Sequence, residues 1–235
     1  MSDRTEVAII AAMEREIAPL IRGWNVILGP RYRFYERGNV IAFAGGIGPR
    51  AARQAADAVL TFRQPALIIS AGFAGAIRES LAVGTVVVPT KVLALPEEQT
   101  FSIDGGEGTL VSVADIVNPR VKQELKTKYA ADAVDMEAAY VAAIAQARGV
   151  RFLAVKAISD EASLGLPPMD RFIDSRGEFH AYRFAMHAAV RPALWSALVR
   201  LKRNADKAAN ALCEFLARID SAASFNQLLN TMRVS

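Results

Sequence analysis

Cysteine and histidine are scarce in this chain, with one cysteine and two histidines among 235 residues. Cys213 alone cannot build a disulfide or a cysteine-ligated metal site within the chain, and a reducing compartment fits this composition. His180 and His187 are too few for a histidine-based metal site. The sequence therefore predicts a cytoplasmic protein, and we expect neither a metal nor another cofactor.

Long apolar runs and strongly basic stretches are also missing. The N-terminal segment MSDRTEVAIIAAM has charged residues before a short apolar run that ends at Glu14, which fits neither a signal peptide nor a membrane span. The formal net charge is +4, but the cations are scattered, and the one notable local group is Lys202, Arg203 and Lys207. Without a basic stripe, a nucleic-acid partner is not expected.

Short apolar runs and amphipathic segments alternate along the chain. With 52% hydrophobic residues, 235 residues suit one compact domain over 1–235. The predicted buried strands are VAIIAA (7–12), NVIAFAGG (39–46), ALIISAG (66–72), GTVVVPT (84–90), TLVSV (109–113) and RFLAVKAIS (151–159). The predicted helices are EREIAPLIRGW (14–24), PRAARQAADAVLTF (49–62), NPRVKQELKTKYA (118–130) and MEAAYVAAIAQARG (136–149). This order predicts a three-layer α/β/α domain with a central mixed, mostly parallel sheet.

The C-terminal part has a different character. Residues 164–191 read as irregular, and a helical extension is expected over 192–235. Its apolar positions recur at three- and four-residue steps and comprise Leu194, Leu198, Leu201, Ala205, Ala208, Leu212 and Phe215. The opposite face carries Arg200, Lys202, Arg203 and Lys207. Two interpretations stay open, a core-packing helix with a solvated basic face and a surface that contacts an anionic membrane.

Four polar or glycine-rich clusters follow predicted strands, where parallel sheets bind their ligands. AAMEREI (11–17) carries Glu16, and SAGFAGAI (70–77) lets a ligand approach the backbone. GGIGPRAARQAA, from Gly45, opens a helix whose N–H groups can receive an anion or a polar oxygen, but its spacing is not that of a dinucleotide site.

The fourth cluster pairs DAVDMEAAYVAA (132–143) with AVKAISDEA (154–162). Glu137 stands at the mouth of an alanine-rich helix, where a buried carboxylate costs several kcal/mol unless something binds it. Asp160 sits just beyond a buried strand. Taken singly, such residues also fit helix caps, solvated faces and simple turns.

Together, AAMEREI, GGIGPRAA, SAGFAGAI followed by VGTVVVP, AVDMEAAYVAA and AVKAISDEA resemble the nucleoside phosphorylase superfamily in order and spacing. The likeness covers roughly 7–162 and is greatest to the methylthioadenosine/S-adenosylhomocysteine nucleosidase branch. It implies that Glu16 orients the attacking water, that Met136 and Glu137 hold the ribose, and that Asp160 protonates the purine at N7. The other substrate-binding residues that it implies are Ala71, Gly72, Phe73, Ile116, Val117 and Ser159. It also implies a homodimer in which the neighbouring subunit closes the 5′ pocket.

These residue types suit cleavage of an N-ribosidic bond. The reaction passes through an oxocarbenium-like state, so the base must leave with a proton and the sugar must be gripped by its hydroxyls. Asp160 is the candidate acid. The carboxylate of Glu137 can accept two hydrogen bonds from a vicinal diol, and the apolar Met136 can pack on the sugar face.

Departures from the family pattern bear on the nucleophile. Ser70 and Ala71 stand where phosphorolytic members carry an arginine, which favours water over phosphate. Phe73 replaces a small hydroxyl residue near the water, and Lys156 replaces an arginine. Phosphorolysis stays open, because Arg31, Arg33 and Arg50 are candidate phosphate contacts.

Other departures bear on the substrate. Ile116 replaces the base-stacking phenylalanine, and the segment 89–109 is shorter than in those nucleosidases, which would suit a bulky 5′ substituent. The short chain is similar to the hopanoid-associated members that cleave adenine from adenosylhopane. We therefore expect hydrolysis of a purine nucleoside, a 5′-modified adenosine, with release of adenine. The alternatives are a phosphorolytic nucleoside phosphorylase and a non-catalytic nucleoside-binding protein.

Overall fold

The computed structural model describes residues 6–103, 106–164, 174 and 195–219. Its strands are β1 (Val7–Ala11), β2 (Asn25–Leu28), β3 (Arg33–Arg37), β4 (Val40–Ala44), β5 (Leu67–Ala76), β6 (Val86–Val87), β7 (Lys91–Ala94), β8 (Gln99–Ser102), β9 (Thr109–Ser112), β10 (Ala133–Asp135) and β11 (Arg151–Asp160). Its helices are α1 (Glu14–Ile21), α2 (Pro49–Phe62), α3 (Pro119–Tyr129), α4 (Ala138–Ala147) and α5 (Trp195–Leu216).

One mixed sheet forms the middle of the molecule. Along its main path the strand order is β2-β3-β4-β1-β5-β10-β9-β7-β8, and β11 pairs with both β5 and β6. The central pairings β4/β1, β1/β5 and β5/β11 are parallel, whereas the hairpins β2/β3 and β7/β8 are antiparallel. Because β5 is long, it pairs with β1 and β11 and then, through Gly75 and Ala76, with β10.

Side chains of the central strands alternate between the two faces of the sheet and pack against a helical layer on each face. In β1, Val7 and Ile9 face one side with α1 and α5, and Ala8 and Ile10 face the other side with α2 and part of α4. This two-residue alternation is what a strand with both faces buried requires. The expected three-layer α/β/α fold is confirmed.

Helix ends explain why the polar loops stand where they do. α2 begins with Pro49 after Gly48, whose φ of +88° suits glycine. α3 is capped by Asn118, whose side chain accepts a hydrogen bond from the N–H of Val121 at 3.0 Å. Both helices therefore begin at fixed positions beside the carboxyl edge of the sheet.

Several sequence expectations need correction. The segment SAGFAGAI does not end a strand, because β5 continues to Ala76 to pair with β10 and β11. The run GTVVVPT yields only the two residues of β6. Five strands escaped prediction, namely β2, β3, β7, β8 and β10.

The C-terminal helix α5 packs on the core. Ala208, Leu212, Cys213 and Leu216 are buried with β11 and α1, which agrees with the core-packing interpretation. Its basic residues Arg200, Lys202, Arg203 and Lys207 are exposed. Most of the predicted irregular segment 164–191, Leu194 and residues 220–235 lie outside the described residues, so the domain organisation stays a prediction. No helix within the described ranges has the length and apolarity to cross a membrane.

Candidate active site

A cavity of about 180 Å³ opens at the carboxyl ends of β1, β5, β10 and β11. Its lining residues are Ala12, Met13, Arg15, Glu16, Ile47, Phe73, Ala74, Gly75, Val113, Asp115, Ile116, Val117, Lys122, Val134, Asp135, Met136, Glu137, Ser159 and Asp160. Eight of the ten expected site residues are among them. Thus segments far apart in sequence converge where a parallel sheet places its ligand.

Ala71 and Gly72 are the two expected substrate-binding residues that do not line the cavity. Ala71 is buried inside the sheet, in register with Val155 of β11. Gly72 lies behind Glu16, and a Cβ atom built on it would stand 3.0 Å from Oε2 of Glu16. Gly72 therefore makes room for the carboxylate of Glu16, and its role in substrate binding stays a prediction.

Glu16 is held by backbone donors at the start of α1. Its Oε2 accepts hydrogen bonds from the N–H groups of Ala12 and Met13, each at 3.0 Å, and Oε1 accepts a longer one of 3.4 Å from Phe73. Burial raises the pKa of Glu16, while the bond from Met13 and the charge of Lys156 oppose that rise. A carboxylate with a raised pKa is a better proton acceptor near neutral pH.

Glu137 precedes α4 and reaches across to the first turn of α2. Its Oε1 accepts a hydrogen bond from the N–H of Gly48 at 2.9 Å. The glycine turn that seemed free to receive an anion therefore already receives this carboxylate. Burial raises the pKa of Glu137 to about 7, helped by the charges of Asp135 and Glu16 and opposed by Lys156 and the Gly48 bond.

A fully buried ion pair lies beneath Glu137. Nζ of Lys156 is 2.9 Å from Oδ2 of Asp135, and both side chains are at most 1% exposed. Asp135 also accepts from the hydroxyl of Ser112 and, at 2.9 Å, from the N–H of Ala138. Asp135 thus satisfies the N–H group of the first residue of α4, directly after Glu137.

Lys156 is the counter-ion of three carboxylates. Burial by itself would lower the pKa of its ammonium, but the charges of Asp135, Glu137 and Glu16 outweigh burial and raise this pKa. The lysine at this strand position therefore keeps a positive charge under the acidic floor of the cavity.

Asp160, the last residue of β11, is bound on both oxygens. Nζ of Lys122 lies 2.6 Å from Oδ2, and the hydroxyl of Ser159 donates to Oδ1 at 3.0 Å. Lys122 also donates to the backbone oxygen of Glu161 at 3.1 Å, and it is only 3% exposed. The expected general acid is therefore one half of a buried ion pair on the cavity wall.

Some cavity residues were missed by sequence reasoning. Lys122 belongs to the polar helix α3, and in the sequence it looks like Lys126 and Lys128 of the same helix, which pair with acidic residues at the surface. Ile47 follows the glycine turn, and Gly75 lies in a strand that was expected to end earlier. Gly75 was detectable from its glycine-rich context, whereas nothing in the sequence singled out Lys122.

The arginines proposed as phosphate contacts lie elsewhere. Arg31 bonds to Gln54 on the surface, and Arg33 and Arg50 are exposed. None of the three lines the cavity that the described residues form. Arg15 and Lys122 are the cationic side chains among its lining residues.

A family model described as the Phosphorylase superfamily matches residues 6–125 and 99–217 of this chain. The chain belongs to the phosphorylase superfamily. The 5′-methylthioadenosine/S-adenosylhomocysteine nucleosidase of Bacillus pumilus is 28% identical over an alignment of 206 residues, and the match covers 67% of this chain and 86% of that protein. The resemblance read from the motifs, and the enzyme class that it implied, agree with this superfamily match and this relative.

Solved structures agree with the fold. A 5′-methylthioadenosine/S-adenosylhomocysteine nucleosidase from Helicobacter pylori has a TM-score of 0.70 at 19% identity and covers 96% of this chain and 100% of its own. The futalosine hydrolase of Helicobacter pylori has a TM-score of 0.63 at 19% identity and covers 88% of this chain and 95% of its own. At these identities, the two solved structures support the fold alone.

Proposed function

We propose that this phosphorylase-superfamily protein hydrolyses the N-ribosidic bond of a purine nucleoside, most simply a 5′-modified adenosine. The main support is that Glu16, Glu137 and Asp160 line one cavity and that each has its own hydrogen-bond partners. A glycosyl hydrolysis needs three such groups, one for the water, one for the sugar hydroxyls and one at the leaving base.

The sugar is assigned to Glu137 and Met136. One oxygen of Glu137 is fixed by Gly48, so its remaining lone pairs are available to accept hydrogen bonds from two ribose hydroxyls. The charge of Lys156 beneath favours the ionised, accepting form. Met136, on the same wall, offers an apolar surface for the sugar face.

We assign the nucleophile as a water molecule that Glu16 orients. Backbone N–H groups at the start of α1 would suit a phosphate, but the carboxylate of Glu16 already occupies those of Ala12 and Met13. A second anion there would face like-charge repulsion. Together with the positions of Arg31, Arg33 and Arg50, this supports hydrolysis over phosphorolysis.

The base is assigned to the wall formed by Asp160, Ser159, Phe73, Ile116 and Val117. Asp160 and Ser159 are polar groups for the purine edge, and the three apolar residues offer surfaces for its faces. We take adenine as the base and methylthio, homocysteinyl or hopanoid groups as the 5′ substituents to test. The Bacillus pumilus relative is named for the first two, and the short chain resembles the hopanoid-associated branch.

The rival from another class is a non-catalytic nucleoside-binding protein. Binding a ribose would require Glu137 but neither a buried water-orienting base nor a proton donor at the purine. The placement of Glu16 and Asp160 on the same cavity supports the enzyme.

The test is release of free base from a panel of nucleosides by the purified protein. The panel contains methylthioadenosine, S-adenosylhomocysteine, adenosine and inosine, and the base is measured by chromatography. We expect release from at least one 5′-modified adenosine, and a Glu16→Gln variant should abolish it. Tight nucleoside binding without release from any member would favour the binding protein.

The partner and location assignments are further proposals. A homodimer rests on the family resemblance, and sedimentation of the purified chain would test it. Contact with an anionic membrane rests on the exposed Arg200, Arg203 and Lys207 of α5. Co-sedimentation with anionic but not neutral vesicles would support it. A cytoplasmic location likewise rests on the lone cysteine.

A further inference from the structure

The hydrogen bonds of Asp160 are those of a proton acceptor and not those of a simple proton donor. Its Oδ2 lies 2.6 Å from Nζ of Lys122, a distance typical of a charge-assisted hydrogen bond. The ammonium of a lysine donates hydrogen bonds and cannot accept one, and Oδ1 accepts a hydrogen bond from the hydroxyl of Ser159 at 3.0 Å, so both oxygens of Asp160 act as acceptors. If the departing base is to take a proton at this wall, the proton has to come from a neighbour of Asp160.

Lys122 is the neighbour that has a proton to give. It lines the same cavity, and it also donates to the backbone oxygen of Glu161 at 3.1 Å. The wall beside the pair is kept open by Gly75, where a Cβ atom would stand 2.8 Å from Oδ2 of Asp160 and 3.2 Å from Nζ of Lys122. The ion pair therefore borders the space that the leaving base would occupy.

We propose that Lys122 holds the proton that the leaving purine takes up, and that Asp160 passes it on. This inference rests on the proposed hydrolysis. Lys122 is thus a positioning residue that acts through Asp160, and the pair together replaces a carboxyl group that is protonated beforehand.

The step balances as follows. The water oxygen bonds to C1′ while the C1′–N9 bond breaks, and the electron pair of that bond stays on the purine. Glu16 takes a proton from the water. Lys122 gives a proton to Oδ2 of Asp160 and ends as a neutral amine, and Asp160 passes that same proton to N7. Glu16 then releases its proton to solvent, and solvent returns one to Lys122.

Arginine separates this role from a purely electrostatic one. An arginine keeps the positive charge beside Asp160 but does not give up its proton in a protein. Lys122→Arg therefore preserves the ion pair and removes the proton source, whereas Lys122→Met removes both. Lys126→Met is the matched control, because Lys126 lies one turn further along α3 and pairs with Glu79 on the surface.

The experiment compares two leaving groups. One substrate is the purine nucleoside that the unaltered protein cleaves fastest, and the other is a 4-nitrophenyl riboside, whose phenolate departs without a proton. We expect both Lys122 variants to lose about 100-fold or more in kcat on the purine nucleoside, the usual worth of a positioned proton donor. Both should cleave the nitrophenyl riboside at close to the unaltered rate, and Lys126→Met should match the unaltered protein on both substrates.

Three results would overturn the proposal. Near-normal purine cleavage by Lys122→Arg would reduce Lys122 to a charge partner, and near-normal cleavage by Lys122→Met would remove it from the reaction. Equal losses on both leaving groups would make its role structural. If the unaltered protein cleaves no purine nucleoside, the proposed function fails first, which is distinguishable from all three.

Discussion

The carboxylate of Glu137 accepts a hydrogen bond from the N–H of Gly48, which lies 89 residues earlier in the chain, at 2.9 Å. This contact joins the first turn of α2 to the start of α4 across the cavity mouth. It also leaves the other oxygen of Glu137 for a ligand. One carboxylate therefore links the starts of two helices and keeps an oxygen that can accept hydrogen bonds from a diol.

The first prediction concerns the pH dependence of nucleoside binding. Burial holds the pKa of Glu137 near 7, so the residue is largely protonated below that pH and ionised above it. Ribose hydroxyls bind the ionised form better, since a charged acceptor makes the stronger hydrogen bond. Nucleoside affinity should therefore rise as the pH increases from about 5.5 to about 7.5 and level off above, as measured by calorimetry.

Glu137→Gln is the control for this prediction, because an amide does not titrate. At pH 8 the variant should bind the nucleoside about 10- to 100-fold more weakly, the worth of a hydrogen bond to a charged group, and its affinity should no longer follow pH in this range. Free adenine, which lacks the ribose, should bind both proteins alike. Equal losses for adenine and nucleoside would make Glu137 structural.

The second prediction concerns Lys156. Lys156→Met would leave Asp135 as an uncompensated charge in a fully buried position, so the free energy of unfolding should fall by about 3–5 kcal/mol. Urea denaturation would measure this loss. Lys202→Met is the matched control, since Lys202 pairs with Asp206 on the exposed face of α5 and should change the unfolding free energy by less than about 0.5 kcal/mol. Similar losses in both variants would contradict the role given to the buried pair.

The third prediction concerns Gly72. Gly72→Ala would push a methyl group to 3.0 Å from Oε2 of Glu16, at a backbone φ of +142°. The displaced carboxylate should cost about 10-fold in kcat, because small misplacements of a catalytic group are expensive. Gly38→Ala has the backbone strain of a φ of +57° but open space around it, so it should lower the melting temperature without changing kcat. A Gly72→Ala protein with normal turnover would place Glu16 outside the reaction.

The fourth prediction concerns Asp160. Asp160→Asn keeps the shape of the side chain but cannot carry a proton to the base, so kcat on a purine nucleoside should fall about 10²–10⁴-fold. A residue that served only as the counter-ion of the buried Lys122 would instead lower the free energy of unfolding by about 3–5 kcal/mol, with the turnover of folded molecules preserved. Measuring kcat and melting on one preparation separates the two roles.

Sequence patterns predicted the central elements because their burial is locally encoded. β1 is a continuous apolar run. α2 has a proline at its start and apolar residues at three- and four-residue spacing, and its predicted bounds of 49–62 match the structure. The missed strands β2 and β8 are mostly exposed and mix polar with apolar residues, and their pairing depends on neighbouring strands. Local pattern does not carry that information.

The sequence predicted those site residues that belong to the family motifs. The motif residues Glu16, Glu137 and Asp160 all line one cavity. Their hydrogen-bond partners, however, depend on the tertiary structure and cannot be read from the motifs. Lys122 and Lys126 both read as cations on a polar helix, yet one is buried against Asp160 and the other is paired on the surface. Only the tertiary contacts of Lys122 with Asp160 and Glu161 separate them.

The sugar product is the most direct test of the central claim. The purified protein would be given methylthioadenosine, or the best substrate of the panel, in phosphate-free buffer and again with added phosphate, and the sugar would be identified by mass spectrometry. Hydrolysis through Glu16 predicts free 5′-modified ribose at the same rate in both buffers. Base release that requires phosphate and yields the ribose 1-phosphate would contradict the account.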